Sequence, residues 1–251
     1  MKTAIQSEPW SAADRKLAER VRRKFRAGVR EFRLLEPGEG VLVGLSGGKD
    51  SMALLQLLGE FRRHASVKFP IVALHVRMRG VDYRTDTGYL ADFAAQCGAE
   101  LRVEEATFPM DRNEKRTPCF LCAWTRRKIL FQRAQEWGFG KIALGHHHDD
   151  ILTTALMNLT FNGSFSTMPV LQAFRKMPLA IIRPLCLVSE ADLKRWAELF
   201  AYQPLIKVCP NDDVTHRAGM KKVLEDLRRV NAEADGSLWH ALYKAEKLVD
   251  M

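Results

Sequence analysis

The sequence lacks a hydrophobic run that approaches the roughly 20 apolar residues a membrane span requires. Its N-terminal stretch, MKTAIQSEPWSAADRK, also lacks the apolar core of a secretory signal. Acidic residues are fewer than basic ones, with 30 Asp and Glu against 39 Lys and Arg, so the formal net charge is +9. These features predict a cytoplasmic protein and favour a polyanionic partner.

Cysteine is also scarce, with five residues in a chain of 251. Without a secretion signal they are not expected to form a disulfide framework, but to be core residues, metal ligands or catalytic thiols. Cys119 and Cys122 form one C-x-x-C pair, and no second pair exists to complete a four-cysteine zinc site. With Cys209 as a third ligand, either His216 completes a zinc site or three thiolates hold an iron–sulfur cluster with one open iron. The two remaining cysteines lie in apolar stretches and are predicted to be core residues: Cys97 and Cys186.

The chain is organised around Val41–Leu58, which reads VLVGLSGGKDSMALLQLL. An apolar run, a pair of glycines and apolar residues at helical spacing predict a buried strand, a tight turn and a helix. Such a turn directs backbone N–H groups and the positive end of the helix dipole at one point, which attracts phosphate. The spacing of Gly44 and Gly48 does not fit the Walker A motif, and the pattern G-x-G-x-x-G is absent. An ordinary strand–helix turn is the alternative.

Further apolar runs alternate with helical patterns along the chain. This alternation predicts an α/β fold, with a doubly wound, parallel, five-stranded sheet and additional N- and C-terminal helices. We divide the chain into a basic helical segment (1–38), a central domain (39–205) and a C-terminal segment (206–251). The predicted strands are Val41–Leu45, Pro70–Val76, Glu100–Val103, Lys141–Leu144 and Leu179–Ile182. The main predicted helices are Ala13–Leu35, Gly88–Gly98, Trp124–Trp137, Ile151–Leu159, His216–Val230, Leu238–Val249 and one from the Ser189 cap to Leu199.

The helix Ala13–Leu35 carries an unusual number of cations on one side. Its apolar residues recur every three to four positions: Leu17, Val21, Phe25, Val29 and Phe32. The pattern predicts a helix that packs one face on the body of the protein. Its basic face is either solvated surface or a contact for nucleic acid, and the cluster Arg126–Lys128 is a second candidate contact.

Gly145–Asp150, which reads GHHHDD, directly follows a predicted strand. In parallel sheets, ligands bind outside the carboxyl ends of the strands, so this segment is expected beside the glycine turn. Asp149 or Asp150 either caps the next helix or contacts a nucleotide, its magnesium or the leaving pyrophosphate. Asp50 is the first candidate ligand for Mg²⁺, because this ion prefers carboxylate and phosphate oxygens.

The segment Ser46–Ser51, SGGKDS, resembles the PP-loop of the N-type ATP pyrophosphatases, which split ATP between the α and β phosphates and adenylate a substrate. From about Gly40 to Cys209 the chain resembles the tRNA 2-thiocytidine biosynthesis (TtcA-like) family of the PP-loop superfamily. The resemblance rests on SGGKDS, the C-x-x-C pair and GHHxDD, and extends through Asn158–Gly163, Met168-Pro169 and Ile182–Leu185.

The resemblance implies an ATP-binding PP-loop fold and thiolation of a tRNA anticodon-loop cytidine at its C2 oxygen. It also implies a 4Fe–4S cluster held by Cys119, Cys122 and Cys209, with Mg²⁺ at Asp50. The implied catalytic residues are these cysteines together with Lys49 and Asp50. The implied nucleotide-binding residues are Ser46, Gly47, Gly48, Lys49, Asp50, Ser51, Gly145, His146, Asp149 and Asp150. The expected partners are tRNA, ATP and a sulfur donor such as a cysteine desulfurase, and a second copy of the chain is a candidate partner.

The chain departs from the family at two places. Many members carry a second cysteine close to the one matched by Cys209, and Asn162-Gly163 stands where a glycine pair is usual. The alternatives are another PP-loop tRNA-modifying enzyme, of the thiouridine or lysidine type, and a zinc-stabilised RNA-binding module.

Overall fold

Strands and helices alternate along most of the chain, as the hydrophobic pattern predicts. The computed structural model describes residues 10–79, 82–84, 86–107, 118–203, 206–208 and 216–251, with the backbone alone at 82–84, 118–119 and 206–208. The helices in the described residues are α1 Ala12–Glu31, α2 Lys49–His64, α3 Thr87–Gln96, α4 Pro118–Glu136, α5 His148–Asn162, α6 Glu190–Leu199, α7 His216–Val230 and α8 Ala234–Lys244. The strands are β1 Val41–Gly44, β2 Ile71–Met78, β3 Asp82–Arg84, β4 Glu100–Ala106, β5 Lys141–Ala143, β6 Leu171–Ala173, β7 Ala180–Ile182, β8 Ile206–Val208 and β9 Val249–Asp250.

The main sheet has the strand order β4-β2-β1-β5-β7-β6-β9. The five strands from β4 to β7 are parallel, which confirms the predicted set of parallel strands. The prediction of a five-stranded sheet was wrong, because β6 pairs antiparallel with β7, and β9 extends the edge alongside β6. These two strands have three and two residues, too few to give a periodic signal. A separate antiparallel ribbon joins β3 to β8.

The sheet is covered on both faces, as a doubly wound fold requires. Along β1, Val41 and Val43 belong to one hydrophobic cluster and Leu42 to another, since successive side chains point to opposite faces. The first cluster also contains apolar residues of α1, α2, α5 and α6. The second is closed by α4, which contributes Leu130 and Ala134. The predicted apolar stripe of α1 is buried in the first cluster, in the same core as the central strand.

Several boundaries differ from the predicted ones. The C-x-x-C pair lies within α4, which begins at Pro118 rather than Trp124, and proline suits a first helical position. The helix α5 begins at His148 rather than Ile151. The last helix, α8, ends at Lys244, and Val249 lies in a strand. The prediction that Ser189 caps α6 is confirmed, since its Oγ accepts from the Asp192 amide at 3.2 Å.

Candidate active site

The glycine turn lies at the carboxyl end of β1, immediately before α2. Gly47 has a φ of +85°, in the left-handed region that favours glycine. The amide of Ser46 donates to Ser51 Oγ at 3.2 Å, and Ser51 Oγ donates to the Gly48 carbonyl at 2.9 Å, so the serines brace the turn. Gly48 is the N-cap of α2, and no side chain caps this helix. The first turn of α2 therefore presents N–H donors and a positive dipole end, an arrangement that binds phosphate.

Lys49 and Asp50 begin α2 and are paired with each other. Lys49 Nζ donates to Asp50 Oδ2 at 3.0 Å and lies 2.9 Å from Oδ1. Glu190 Oε1 lies 3.6 Å from the same nitrogen. The side chains of Lys49 and Asp50 are 29% and 30% exposed, so both are accessible from solvent. The lysine is thus held between two carboxylates at the rim of the glycine turn.

Gly145 brings the GHHHDD segment against the glycine turn. A Cβ added at Gly145 would lie 2.9 Å from both the carbonyl carbon of Asp50 and the amide nitrogen of Ser51. Real Cβ atoms do not approach backbone this closely, so only glycine permits the contact. The two segments follow β1 and β5, which are neighbours in the sheet. The chain leaves β1 towards β2 on one side, and β5 and β7 lie on the other, so the contact occurs at the topological switch.

His146 is held neutral beside a buried arginine. Arg183 Nε donates to His146 Nδ1 at 3.3 Å, and an Arg183 terminal nitrogen donates to the Pro169 carbonyl. Burial and the neighbouring guanidinium lower the pKa of His146 to about 3. Burial lowers the pKa of Arg183 to about 10, which leaves it charged at neutral pH. A buried cation therefore stands directly behind the residue predicted to contact the nucleotide.

The two aspartates of the segment both bind protein groups. The His147 amide donates to Asp150 Oδ2 at 3.1 Å, so Asp150 fulfils the predicted capping role, and its Oδ1 accepts from Arg217 at 2.8 Å. Asp149 accepts from Arg228 at 2.6 Å and from the Glu190 amide at 2.7 Å. Burial raises the pKa of each carboxyl, but these donors and His147 lower it by more, so both pKa values lie below their usual range. Both side chains are anionic at neutral pH.

A cavity of about 290 Å³ opens between the two segments. This volume is close to the lower end of the range for small-molecule pockets. Its lining includes these residues predicted to bind the nucleotide: Ser46, Asp50, Ser51, Gly145, His146 and Asp150. The other four stand next to them in the chain, outside the cavity wall: Gly47, Gly48, Lys49 and Asp149.

Two further residues of the wall were not predicted to be there. Arg126, expected at an RNA surface, lines the cavity from α4. His75 lines it from β2, with Nδ1 2.8 Å from the Leu45 carbonyl oxygen, so Nδ1 carries the proton. Burial lowers the pKa of His75 by more than this carbonyl raises it, so the ring is neutral at pH 7. A histidine within the apolar run Ile71–Val76 was the available sequence signal.

The predicted cluster ligands are only partly described. Cys122 is a half-buried free thiol, Cys119 lies one turn earlier in α4 with its side chain outside the described residues, and Cys209 lies outside them altogether. Among the side chains that the structure describes, no three His, Cys, Asp or Glu residues form a metal site. Two thiol-bearing positions one turn apart fit thiolate ligation of iron by their chemistry. The remaining two cysteines are core residues, as predicted, being 2% and 0% exposed: Cys97 and Cys186.

Comparison with known proteins shows to which family the chain belongs. The sequence matches the PP-loop domain family over residues 17–203. It is 35% identical over 220 residues to the tRNA-cytidine(32) 2-sulfurtransferase of Aeromonas salmonicida, covering 85% of this chain and 72% of that protein. The tRNA-cytidine(32) 2-sulfurtransferase of Tolumonas auensis is 36% identical with the same coverage. The chain belongs to the family of tRNA-cytidine(32) 2-sulfurtransferases.

A solved structure has a similar fold. The U34-tRNA thiolase NcsA from Methanococcus maripaludis, determined with its [4Fe-4S] cluster, has a TM-score of 0.76 at 22% identity. The match covers 92% of this chain and 80% of that one. At this identity the likeness shows that the two proteins share a fold. Among the described helices of this tRNA-cytidine 2-sulfurtransferase family member, none is long and apolar enough to cross a membrane.

The basic helix α1 has a structural side and an exposed side. Arg20 and Lys24 pair with Asp192 at 2.7 and 3.4 Å, and Arg22 pairs with Glu60 at 2.6 Å. These cations fasten α1 to α6 and α2. Three other arginines, the exposed arginine set, face solvent: Arg23, Arg26 and Arg30. Only part of the charge of α1 is therefore committed to holding the fold together.

Proposed function

We propose that this protein is an ATP-dependent tRNA-cytidine 2-sulfurtransferase. It adenylates the C2 oxygen of a cytidine in tRNA and replaces that oxygen with sulfur. The observation that carries the proposal is the meeting of the glycine turn and Gly145–Asp150 in one cavity at the switch point of the sheet. Membership of the family of tRNA-cytidine(32) 2-sulfurtransferases supplies the substrate class, with cytidine 32 as the proposed position.

The triphosphate is proposed to bind at the first turn of α2. The amides of this turn bind phosphate oxygens, and Lys49 moves from its two carboxylates to the phosphates. Asp50 is then released from Lys49, and its carboxylate oxygens are of the kind that Mg²⁺ prefers. Charge that develops on the leaving pyrophosphate is stabilised by donors that the turn already holds in place.

Adenylation makes the C2 oxygen of cytidine, a poor leaving group, easier to displace. The oxygen attacks the α-phosphorus of ATP, and pyrophosphate leaves. Sulfur then attacks C2, and the oxygen leaves as part of AMP. The reaction therefore yields AMP and pyrophosphate, with sulfur taking the place of the oxygen. In the cavity, the neutral His75 and His146 provide hydrogen-bonding groups that carry no competing charge at neutral pH.

The sulfur-bearing group is proposed to be a 4Fe–4S cluster with Cys119, Cys122 and Cys209 as its ligands. A protein of the same fold, the thiolase NcsA, holds such a cluster. Three protein thiolates leave one iron without a protein ligand, and a bound cluster would supply a thiophilic iron that presents sulfur to the activated cytidine. On the protein side, α4 carries two of the ligands and also lines the nucleotide cavity through Arg126.

The tRNA is proposed to lie across the exposed cations. The exposed arginine set of α1 offers guanidinium groups to the phosphate backbone. A cysteine desulfurase as sulfur donor, a homodimer and a cytoplasmic location also belong to the proposal.

Product analysis tests the ATP chemistry. With tRNA and sulfide present, the wild-type protein is expected to release AMP and pyrophosphate in equal amounts. Lys49→Ala and Asp50→Ala are expected to abolish both products and keep the fold. Lys222→Ala removes an exposed lysine of α7 and is expected to behave as wild type. Release of ADP and phosphate by the wild-type protein would refute the pyrophosphatase chemistry.

A further inference from the structure

Cations along the helix α7, in the C-terminal segment, pair with acidic side chains at or beside the cavity. Arg217 donates to Asp150 at 2.8 Å, and Arg228 donates to Asp149 at 2.6 Å. Between them, Lys221 donates to Glu190 Oε2 at 3.0 Å. None of these cations was singled out for the site, because α7 follows the glycine turn by more than a hundred and fifty residues. The arrangement places a row of positive charge beside the proposed site of a polyanion.

Glu190 is the meeting point of this row and the glycine turn. Its Oε1 lies 3.6 Å from Lys49 Nζ and 3.5 Å from Lys194 Nζ, while Oε2 accepts from Lys221. The Glu190 side chain is 20% exposed, against 61% for Lys194, so the pair with Lys194 is the most open to solvent. Glu190 begins α6, and its amide donates to Asp149, which fixes its backbone beside the cavity. The Glu190 carboxylate therefore interacts both with Lys49 of the glycine turn and with Lys221 of α7.

The two lysines compete for that carboxylate. Lys49 must leave Glu190 to reach a phosphate, and the attraction between them opposes the move. Lys221 neutralises Glu190 from the other side, which reduces the net negative charge that holds Lys49 and faces the incoming triphosphate. If Lys221 is lost, Glu190 keeps its full charge for Lys49, and the ligand-free arrangement becomes more stable relative to the bound one.

We propose that Lys221 is a positioning residue of the ATP site, which acts through Glu190 to leave Lys49 available to the phosphates. The proposal rests on the proposed function in one respect, that ATP binds at the glycine turn. It adds a residue of the C-terminal segment to that site and states the direction of its effect.

The test measures Mg-ATP binding to the anaerobically purified 251-residue chain by titration calorimetry, without tRNA. Lys221→Met is expected to weaken binding roughly five- to tenfold, at the lower end of usual coupling between sites. Lys221→Arg is expected to restore most of the affinity, because it keeps the charge. Lys222→Met is the matched control: it removes the same charge from the next residue, which is exposed, and is expected to bind as wild type.

Changes at Glu190 separate this role from a merely structural one. Glu190→Gln is expected to bind Mg-ATP at least as tightly as wild type, and the double variant Lys221→Met/Glu190→Gln is expected to match Glu190→Gln alone. A structural role predicts instead that both single changes weaken binding and that their combination is worse. That result, or equal affinities of Lys221→Met and wild type, would overturn the proposal. A wild-type protein that fails to bind ATP would instead refute the proposed function itself.

Discussion

Gly145→Ala is the sharpest perturbation of the contact between the two segments of the site. The added Cβ would stand 2.9 Å from the Asp50 carbonyl carbon and from the Ser51 nitrogen, and 3.1 Å from the Asp50 oxygen. Carbon atoms pack at about 3.5–4.0 Å, so the segment and the first turn of α2 must separate by roughly 0.5 Å. Both sides are backbone, which does not yield as a flexible side chain does.

The magnitude follows from that displacement. Overpacking of this kind costs about 1–3 kcal/mol, and each kcal/mol lowers the melting temperature by about 2–4 °C in a protein of this size. The amides proposed to bind phosphate lie in the displaced turn. A misplacement of reacting groups by about 1 Å can cost on the order of a hundredfold in reaction rate. We expect a shift half as large to lower the rate of AMP formation roughly tenfold and to weaken ATP binding as well.

The assay combines thermal unfolding with ATP titration. Gly219→Ala is the matched control, since its added Cβ meets nothing within 4 Å and it lies within α7 without a left-handed φ. That change is expected to stabilise the protein by about 1 kcal/mol and leave ATP binding unaltered. A Gly145→Ala protein with wild-type melting temperature and ATP affinity would show that the two segments do not approach as described.

Three further predictions concern other parts of the molecule. Replacing the exposed arginine set by Gln is expected to weaken tRNA binding and flatten its salt dependence, and an unchanged salt slope in filter binding would assign those arginines to solvated surface. Cys122→Ser is expected to lose iron and acid-labile sulfide while keeping ATP binding. Serine at Cys97 or Cys186 is expected to keep the cluster and to lower the stability of the fold by about 1 kcal/mol. Zinc in place of iron in anaerobically purified protein would contradict the cluster assignment. Asp149→Asn is expected to be about 2 kcal/mol less stable than wild type at pH 7. The depressed pKa of Asp149 stabilises the fold above the unfolded carboxyl pKa of about 3.9, and this stabilisation is lost as the pH falls through the folded value. In urea unfolding, the difference in unfolding free energy between wild type and Asp149→Asn is therefore expected to shrink at lower pH. A difference that stays constant with pH would refute the assignment.

The elements that the sequence predicted well are those with long, regular signals. The parallel strands are continuous apolar runs, the stripe of α1 repeats every three to four residues, and Ser189 is a standard N-cap. The strands β6 and β9 were missed because they have three and two residues, and they gain their order from pairing with β7 and with each other. The start of α4 was missed although Pro118 marks it, because the C-x-x-C pair has no amphipathic pattern.

The residues of the site also differ in how far the sequence predicts them. Residues that form contiguous motifs, such as Ser46–Ser51 and Gly145–Asp150, were predicted to lie together, and the structure brings them to one cavity. Glu190 and Lys221 were not found, because an ion pair between two surface helices has no local sequence signal. Their roles depend on how the helices pack, which is decided by the whole core. Cys209 lies outside the described residues, so its part in the cluster stays a prediction.

Whether this chain puts sulfur on cytidine is measured most directly by nucleoside analysis. Anaerobically purified protein is incubated with ATP, magnesium, sulfide and tRNA lacking the modification, and the tRNA is digested and examined by mass spectrometry. The expected result is 2-thiocytidine at position 32, formed in proportion to AMP and absent when Lys49 is replaced by Ala. AMP formation with unmodified cytidine, or sulfur found on uridine instead, would contradict the proposed function.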